Sequence, residues 1–282
     1  MALNVKSLAP RIATAVIILP VTLLTIWVPA FYIGFALLVT FLAAVGLYEY
    51  YAIVRCRQIS PETIGGILAG TLVAFSGYFC SLTATALALY GGCLLVSALH
   101  IVRGQHSVAG LSTSVFGVFY VGWLAAHITL LHGIPVIGPG LVTLVIFAVA
   151  LTDGGAYLVG STLGRHKMAP KVSPNKTWEG AAGGLAFALA TMAVFHTLAN
   201  REIGVPGCGA LPPWTLARYL YTGAILSIVS QIGDLAESCL KRSAGVKDSG
   251  LLFPGHGGAL DRCDGYLFAA PVLYYMVTPL VN

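Results

Sequence analysis

The sequence predicts an all-α, polytopic integral membrane protein with about nine transmembrane helices and a cytoplasmic N-terminus. Of its 282 residues, 57% are hydrophobic and only 9% are charged, whereas a soluble domain carries about 25% charged residues. The apolar residues also occur in runs close to the roughly 20 residues that a bilayer core requires. A chain with so little charge cannot cover a water-soluble surface, which excludes the soluble enzyme classes.

Polar breaks rich in proline and glycine divide these apolar runs into nine candidate spans. The spans cover about residues 12–28, 31–53, 63–80, 83–102, 113–132, 137–160, 180–199, 215–235 and 265–281. We predict two regions, an N-terminal transmembrane region of about four spans over 1–110 and a catalytic transmembrane region over 111–282.

The basic residues indicate the orientation of these spans. With a cytoplasmic N-terminus, every Lys and Arg except Arg201 and Arg218 falls on the cytoplasmic side, as the positive-inside rule expects. Two cytoplasmic loops, about 161–179 and 236–264, carry much of this charge, which suits an anionic substrate such as a nucleotide or a lipid phosphate. Because no basic–aromatic groove pattern accompanies them, we predict no nucleic-acid partner.

Acidic residues within or beside the apolar runs are the most informative feature. Asp153 lies in the sixth predicted span, about 12 Å below the interface, where a carboxylate is costly unless it faces a polar cavity, a partner or an ion. A purely structural ion pair is the alternative. Glu49 lies near the inner end of the second span and is predicted to pair locally with Arg55 or Arg57. Two further acids, Glu62 and Glu202, are predicted to be ordinary loop residues.

Two further acidic groups lie near the cytoplasmic ends of the last two spans. Asp234, Glu237, Ser238 and Lys241 fall at i, i+3, i+4 and i+7, so they share one helical stripe; an exposed helix end with intrahelical pairs is the structural alternative. The second group lies in the segment 261–264, where two aspartates three residues apart share the first turn of the last span. The structural alternative there is a favourable interaction with the helix dipole.

The glycine-rich stretch 253–258 precedes this second group. Its backbone N–H groups, beside basic side chains, could cradle phosphate oxygens. His256 fits a phosphate or proton contact and a turn-stabilising role equally well. Carboxylates from separate helices, with cysteines that lack metal-ligand spacing, suit a hard cation such as Mg²⁺. The residues therefore predict a metal-dependent membrane enzyme that acts on a phosphorylated substrate.

A long pattern in the sequence resembles the signature of the phosphatidate cytidylyltransferases, also called CDP-diacylglycerol synthases. It reads Ser238-x-Leu240-Lys241-Arg242-x4-Lys247-Asp248-x-Gly250-x2-Phe253-Pro254-x-His256-Gly257-Gly258-x2-Asp261-Arg262-x-Asp264. The stretches 171–180 and 153–157 are similar to two further motifs of that family. The first 110 residues resemble the family only in being hydrophobic.

The resemblance implies a homodimer with a polar cavity open to the cytoplasm and the inner leaflet, in which Asp234 and Asp261 hold Mg²⁺, with a second cation such as K⁺ left open. It implies catalytic roles for Asp234, Asp261, Lys241, Arg242, Lys247, Asp248, His256, Arg262 and Asp264. It implies substrate-binding roles for Asp153, Lys171, Ser173, Asn175, Lys176, Glu179 and Ser238.

By the same resemblance, the phosphate of phosphatidic acid attacks the α-phosphorus of CTP, which forms CDP-diacylglycerol and releases pyrophosphate. The predicted location is a bacterial inner membrane, with the active site on the cytoplasmic face. One alternative is a CTP-dependent lipid kinase of the polyprenol or phytol type, which resembles this family in part. Another class is a secondary transporter with Asp153 and Glu49 as coupling acids, but transporters usually show paired broken helices near the midplane.

Overall fold

The computed structural model describes residues 20–104, 107–201, 210–250 and 257–278. Those residues are predominantly helical, and they form two compact units. The first unit comprises Met1–Ala126 and Val246–Cys263, and the second comprises His127–Gly245 and Asp264–Asn282. The predicted functional division into 1–110 and 111–282 stays a prediction.

The helices of the described residues follow one another along the chain in this order. Residues 20–27 are helical (α1), and a 3₁₀ turn at Pro29–Phe31 connects them to the next helix. The others are α2 (Tyr32–Arg55), α3 (Thr63–Ser76, extended by a 3₁₀ turn at Gly77–Phe79), α4 (Leu82–Val102), α5 (Val108–Gly117), a π-helical segment (Val118–Trp123), α6 (Leu124–His132), α7 (Gly138–Leu163), α8 (Trp178–Asn200), α9 (Leu216–Ser243) and α10 (Leu260–Val277). A two-stranded antiparallel hairpin, β1 (Lys167–Ala169) and β2 (Ser173–Thr177), lies between α7 and α8.

Five helices of the described residues are long and apolar enough to cross a membrane. They are α2, α4, the continuous helix Val108–His132, α7 and α8. This result supports the predicted helical membrane protein. The span count of about nine and the cytoplasmic N-terminus stay predictions, and residues 12–19 and 279–281 of the first and last predicted spans lie outside the described residues.

The two loops that the sequence predicts on the cytoplasmic side are shorter in the structure than expected. The segment 161–179 contains the β hairpin, and the segment 236–264 is shortened at both ends because α9 continues to Ser243 and α10 begins at Leu260. A fall in hydrophobicity marks the point where a helix leaves the apolar layer of the membrane. The helix itself can continue beyond that point. Lys241 and Arg242 in the last turn of α9 even favour the helix, because positive charge suits its C-terminus.

In the first unit, small residues bring α3 against the π-helical segment. A Cβ atom on Gly122 would lie 2.6 Å from the backbone oxygen of Gly70, so the two backbones are in direct contact. Tyr50 and Tyr51 of α2 cross to α5, where their hydroxyls donate to the carbonyls of Thr113 at 3.0 Å and Ser114 at 2.7 Å. Buried tyrosine hydroxyls are usually paired in this way.

In the second unit, glycines bring the acid-bearing helices together. A Cβ atom on Gly184 of α8 would lie 2.7 Å from the carbonyl oxygen of Thr152 in α7. A Cβ atom on Gly233 of α9 would lie 2.7 Å from the carbonyl oxygen of Asp264 in α10. Small residues permit such backbone approaches between membrane helices. The helices that carry Asp153, Asp234 and Asp264 therefore pack tightly within one unit.

The prediction of Glu62 as an ordinary loop residue is wrong. Its side chain is fully buried, and its Oε2 atom lies 2.6 Å from the Arg103 guanidinium, with the His100 ring 3.8 Å from Oε1. Its backbone N–H donates to Ser114 Oγ at 2.8 Å. A buried carboxylate needs partners of this kind, and these come from α4 and α5, which sequence spacing does not reveal.

We predict that Arg103→Ala lowers the free energy of unfolding by about 1–3 kcal/mol, since it leaves a buried carboxylate without its nearest donor. Thermal unfolding of the purified protein in detergent measures this change. Arg57→Ala, at an exposed arginine, is the matched control and should change stability little. The double variant Glu62→Gln/Arg103→Ala should recover part of the loss. Equal stability of the two single arginine variants would contradict the prediction.

Candidate active site

The hairpin that carries the second predicted motif is held at its base by Glu179. Its carboxylate accepts hydrogen bonds from the backbone N–H groups of Arg165 and His166, both at 3.1 Å, and contacts the His166 ring at 2.5 Å. Thr177 begins α8 as its N-cap, with Oγ1 accepting from the Gly180 N–H at 3.1 Å. The predicted substrate-binding residue Glu179 thus shapes the hairpin, and a substrate contact stays a prediction.

Helix α9 holds the other end of this hairpin. The Arg242 Nε atom donates to the carbonyl of Val172 at 3.2 Å. Along β2, Lys176 Nζ lies 2.6 Å from Asp234 Oδ2. Both side chains of that pair keep partial exposure, 22% and 37%, although the Lys176 Nζ atom itself is buried. The 171–180 stretch and the acidic stripe of α9 therefore meet at one ion pair.

The stripe on α9 forms as its spacing predicts. Ser238 Oγ donates to Asp234 Oδ1 at 3.4 Å, and Lys241 Nζ lies 2.6 Å from Glu237 Oε2. The intrahelical pairs of the structural alternative are therefore present. However, Glu237 and Lys241 are buried, at 1% and 8% exposure, so this is not an exposed helix end.

Asp264 adds a buried carboxyl group to the same unit. It directly precedes the ninth predicted span and is buried, and its Oδ1 atom accepts the Gly265 N–H at 2.7 Å. Burial first, and then the neighbouring Asp234 carboxylate, raise the pKa of the Asp264 carboxyl to about 7; Asp153 acts in the same direction. Asp153 of α7 and Asp234 of α9 thus both act electrostatically on Asp264 of α10, an arrangement that attracts a cation.

In the first unit, Asp261 lies in the first turn of α10 and binds the segment before it. Its Oδ2 atom accepts from the backbone N–H groups of Ser249 and Gly258, both at 2.9 Å. Its own N–H donates to Ser249 Oγ at 3.3 Å. Gly257 has a φ of +85°, which side-chain-bearing residues rarely adopt. The chain therefore turns sharply into the helix, and Asp261 holds that turn.

The predicted pairing of Glu49 with Arg55 or Arg57 is wrong. Glu49 is buried at 4% exposure, and its carboxylate accepts from Ser249 Oγ and from the backbone of Ala259 and Leu260. These partners are about 200 residues away in the chain. The only sequence signal for them was a carboxylate among aromatic residues near a span end, which did not identify its partner.

The remaining predicted site residues take several positions. Lys171, Asn175 and Arg242 are exposed on or beside the hairpin, Ser173 is half-buried, and Lys247, Asp248 and Arg262 are exposed in or beside the segment before α10. His256 lies outside the described residues. Asp153, Lys176, Asp234, Ser238, Lys241 and Asp264 all belong to the second unit. Asp261 belongs to the first unit, and its predicted sharing of a metal with Asp234 stays a prediction.

The donor set suits a hard cation held largely by a substrate. Among the described residues, no three His, Cys, Asp or Glu side chains are grouped so that they could hold an ion by themselves. Mg²⁺ in nucleotide sites usually has one or two carboxylate ligands, with phosphates and water completing its shell. The Lys176 ammonium beside Asp234 shows that this carboxylate faces a position where a positive charge is accommodated. The described aspartates are therefore suitable ligands for Mg²⁺.

These features define a class, a helical membrane protein whose acidic and basic side chains meet beside a hairpin and suit a phosphorylated substrate with a divalent cation. The sequence comparisons are more specific. The model of the cytidylyltransferase family matches residues 9–280. The chain belongs to the cytidylyltransferase family.

Several relatives are similar over most of their length. A phosphatidate cytidylyltransferase of Brucella suis biovar 1 is 37% identical over 269 residues, 95% of this chain and 93% of the relative. One of Synechocystis sp. is 34% identical over 264 residues, 84% and 85% of the two chains. One of Bacillus subtilis is 32% identical over 251 residues, 86% and 88%.

We predict that Glu179→Gln loosens the hairpin, because the neutral amide binds the N–H groups of Arg165 and His166 less strongly than a carboxylate does. Hydrogen–deuterium exchange over residues 164–179 should become about tenfold faster. Asn175→Ala, an exposed change on the same hairpin, should leave the exchange of those two amides unaltered. Unchanged protection in Glu179→Gln would show that the carboxylate does not hold the hairpin.

Proposed function

We propose that this protein transfers CMP from CTP to phosphatidic acid and forms CDP-diacylglycerol and pyrophosphate. The observation that carries the proposal is the similarity to proteins named phosphatidate cytidylyltransferase over 84–95% of this chain. The geometry supports it, because the hydrogen bond from Arg242 to Val172 joins two of the motifs that resemble that family, and the Lys176–Asp234 ion pair joins the same hairpin to α9.

In the proposed reaction, a phosphate oxygen of phosphatidic acid forms a bond to the α-phosphorus of CTP. The bond between that phosphorus and the oxygen bridging to the β-phosphate breaks, and pyrophosphate leaves with the electron pair. Transfers of this type depend mainly on positioning and on stabilising negative charge. No covalent intermediate with the protein is required.

The basic side chains are proposed to supply that stabilisation. Lys176 stands on β2 with its ammonium beside Asp234, where it can donate to a phosphate that binds there. Lys241 is buried next to Glu237, and Arg242 is held at the hairpin through Val172. Lys241 and Arg242, on α9, are proposed to bind CTP phosphates together with the signature residues Lys247 and Arg262.

Asp234 and Asp261 are proposed as the carboxylate ligands of Mg²⁺, with a second cation such as K⁺ as a further candidate. Bound there, magnesium would neutralise phosphate oxygens and favour departure of pyrophosphate. Asp153 and Asp264 are proposed to complete the acidic surroundings, and the electrostatic interaction of Asp264 with Asp234 and Asp153 supports this.

We also propose a cytoplasmic active site in a bacterial inner membrane and a homodimeric assembly. The positive-inside distribution of Lys and Arg supports the orientation, and the bacterial sources of the similar proteins support the location. The homodimer rests on the resemblance to the family.

Position-specific labels in CTP test the reaction. With purified protein, magnesium and phosphatidic acid, we expect label from [α-³²P]CTP in the lipid product and label from [γ-³²P]CTP in pyrophosphate. A CTP-dependent lipid kinase would instead move the γ-label into lipid and leave CDP. Label transfer of that second kind, or no transfer with either nucleotide, would overturn the proposed reaction.

We predict that Asp234→Asn and Asp261→Asn each lower CMP transfer by about 100-fold or more, because loss of a metal ligand should exceed the 10- to 100-fold cost of losing a supporting group. Cys239→Ala, an exposed change on the same helix as Asp234, is the control and should retain activity. Size-exclusion elution and helical content should match the unaltered protein. Near-normal turnover in either aspartate variant would remove that residue from the proposed metal site.

A further inference from the structure

Glu49 is a buried carboxylate in the part of the chain that carries no family signature. It lies in α2 and is 4% exposed. A carboxylate in such a position is costly unless hydrogen-bond donors surround it. The hydrogen-bond donors around Glu49 therefore indicate which part of the chain this carboxylate stabilises.

Among the described residues, its three hydrogen-bond donors all lie in the segment 249–260, within the family signature. Glu49 Oε2 accepts from Ser249 Oγ at 2.9 Å and from the Leu260 N–H at 2.8 Å, and Oε1 accepts from the Ala259 N–H at 3.0 Å. The last two are free backbone donors at the N-terminus of α10. A carboxylate stabilises a helix at that end, and here it comes from a residue 210 positions away.

Two glycines of the signature are explained by the same carboxylate. A Cβ atom on Gly258 would overlap Ser249 Oγ and the Glu49 carboxylate, and one on Gly250 would overlap that carboxylate as well. Neither glycine has a φ in the left-handed region, unlike Gly257. Because they lack a side chain, both glycines leave room for the Glu49 carboxylate.

Ser249 links Glu49 to Asp261. Its hydroxyl donates to Glu49 and accepts from the Asp261 N–H at 3.3 Å, while its own N–H donates to Asp261 Oδ2 at 2.9 Å. The orientation of the Asp261 carboxylate is thus coupled to Glu49 through one side chain and through the first turn of α10.

We propose that Glu49 is a positioning residue, which holds both ends of the segment 249–260 and, through Ser249, orients Asp261 for the reaction. This role rests on the proposed function. Groups that support a metal ligand typically change metal affinity or activity by about 10- to 100-fold when they are removed. Through Glu49, the N-terminal region contributes to the proposed reaction, although that region carries no family signature.

The decisive experiment compares Glu49→Gln with Glu62→Gln. Both remove the charge of a buried carboxylate in the same unit, but Glu62 pairs with Arg103 and touches no signature residue among those described. We expect both to lower thermal stability in detergent. Only Glu49→Gln should raise the magnesium concentration for half-maximal CMP transfer, by about tenfold or more. Equal magnesium dependence in the two variants would overturn the proposal.

Ser249→Ala is the second variant, in case Glu49→Gln does not fold. It removes the hydroxyl that joins Glu49 to the Asp261 N–H, and it leaves the Ser249 N–H bond to Asp261 Oδ2 and the contacts of Glu49 with the α10 backbone. Magnesium dependence should therefore shift in the same direction, by a smaller factor. An unshifted magnesium requirement in a folded Ser249→Ala protein would also overturn the proposal.

Hydrogen–deuterium exchange separates this proposal from the proposed function. Glu49→Gln should speed exchange at Ser249 and over residues 257–261 without altering the hairpin at 164–179. If the unaltered protein transfers no CMP, the proposed function fails whatever the exchange shows. If it transfers CMP but exchange at 257–261 is unchanged in Glu49→Gln, the positioning role fails alone.

Discussion

The need to give every buried carboxylate a partner governs the polar parts of this protein. In a chain with 9% charged residues, an uncompensated carboxylate in apolar surroundings costs several kcal/mol. In the first unit, Glu62 is therefore paired with Arg103, and Glu49 with the backbone of Ala259 and Leu260. Each of these contacts joins segments that are distant in the chain, so the few acids also determine which segments meet.

The second unit meets the same requirement differently. Lysines neutralise Asp234 and Glu237, through Lys176 and Lys241. Asp264 instead lies buried beside other aspartates, which raises its pKa. A lysine ammonium group can move from a carboxylate partner to a phosphate. The backbone N–H groups that bind Glu49 are fixed in position. We regard the unit with the lysines as suited to binding a ligand, and the contacts of Glu49 as suited to holding a shape.

Much of the fold followed from hydrophobicity. The five long apolar helices coincide with predicted spans to within a few residues, and the i, i+3, i+4, i+7 spacing placed Asp234, Ser238 and Lys241 on one stripe of α9. The hairpin at Lys167–Thr177 was not predicted, because its pairing is short and depends on anchors such as Glu179 and Arg242. The ends of α9 and α10 were misplaced because hydropathy reports a lipid boundary and not a helix end.

The sequence by itself determined that the chain is a helical membrane protein and which residues are proposed to carry the chemistry, since composition, helical periodicity and the signature are local properties. Only the tertiary structure decided the partners of Glu49 and Glu62. Both had been interpreted from their neighbours in sequence, as a local pair and as a loop residue. The physical reason is that a buried charge selects its partner by three-dimensional proximity and desolvation, and contacts across 41 or 210 residues leave no periodic trace in the chain.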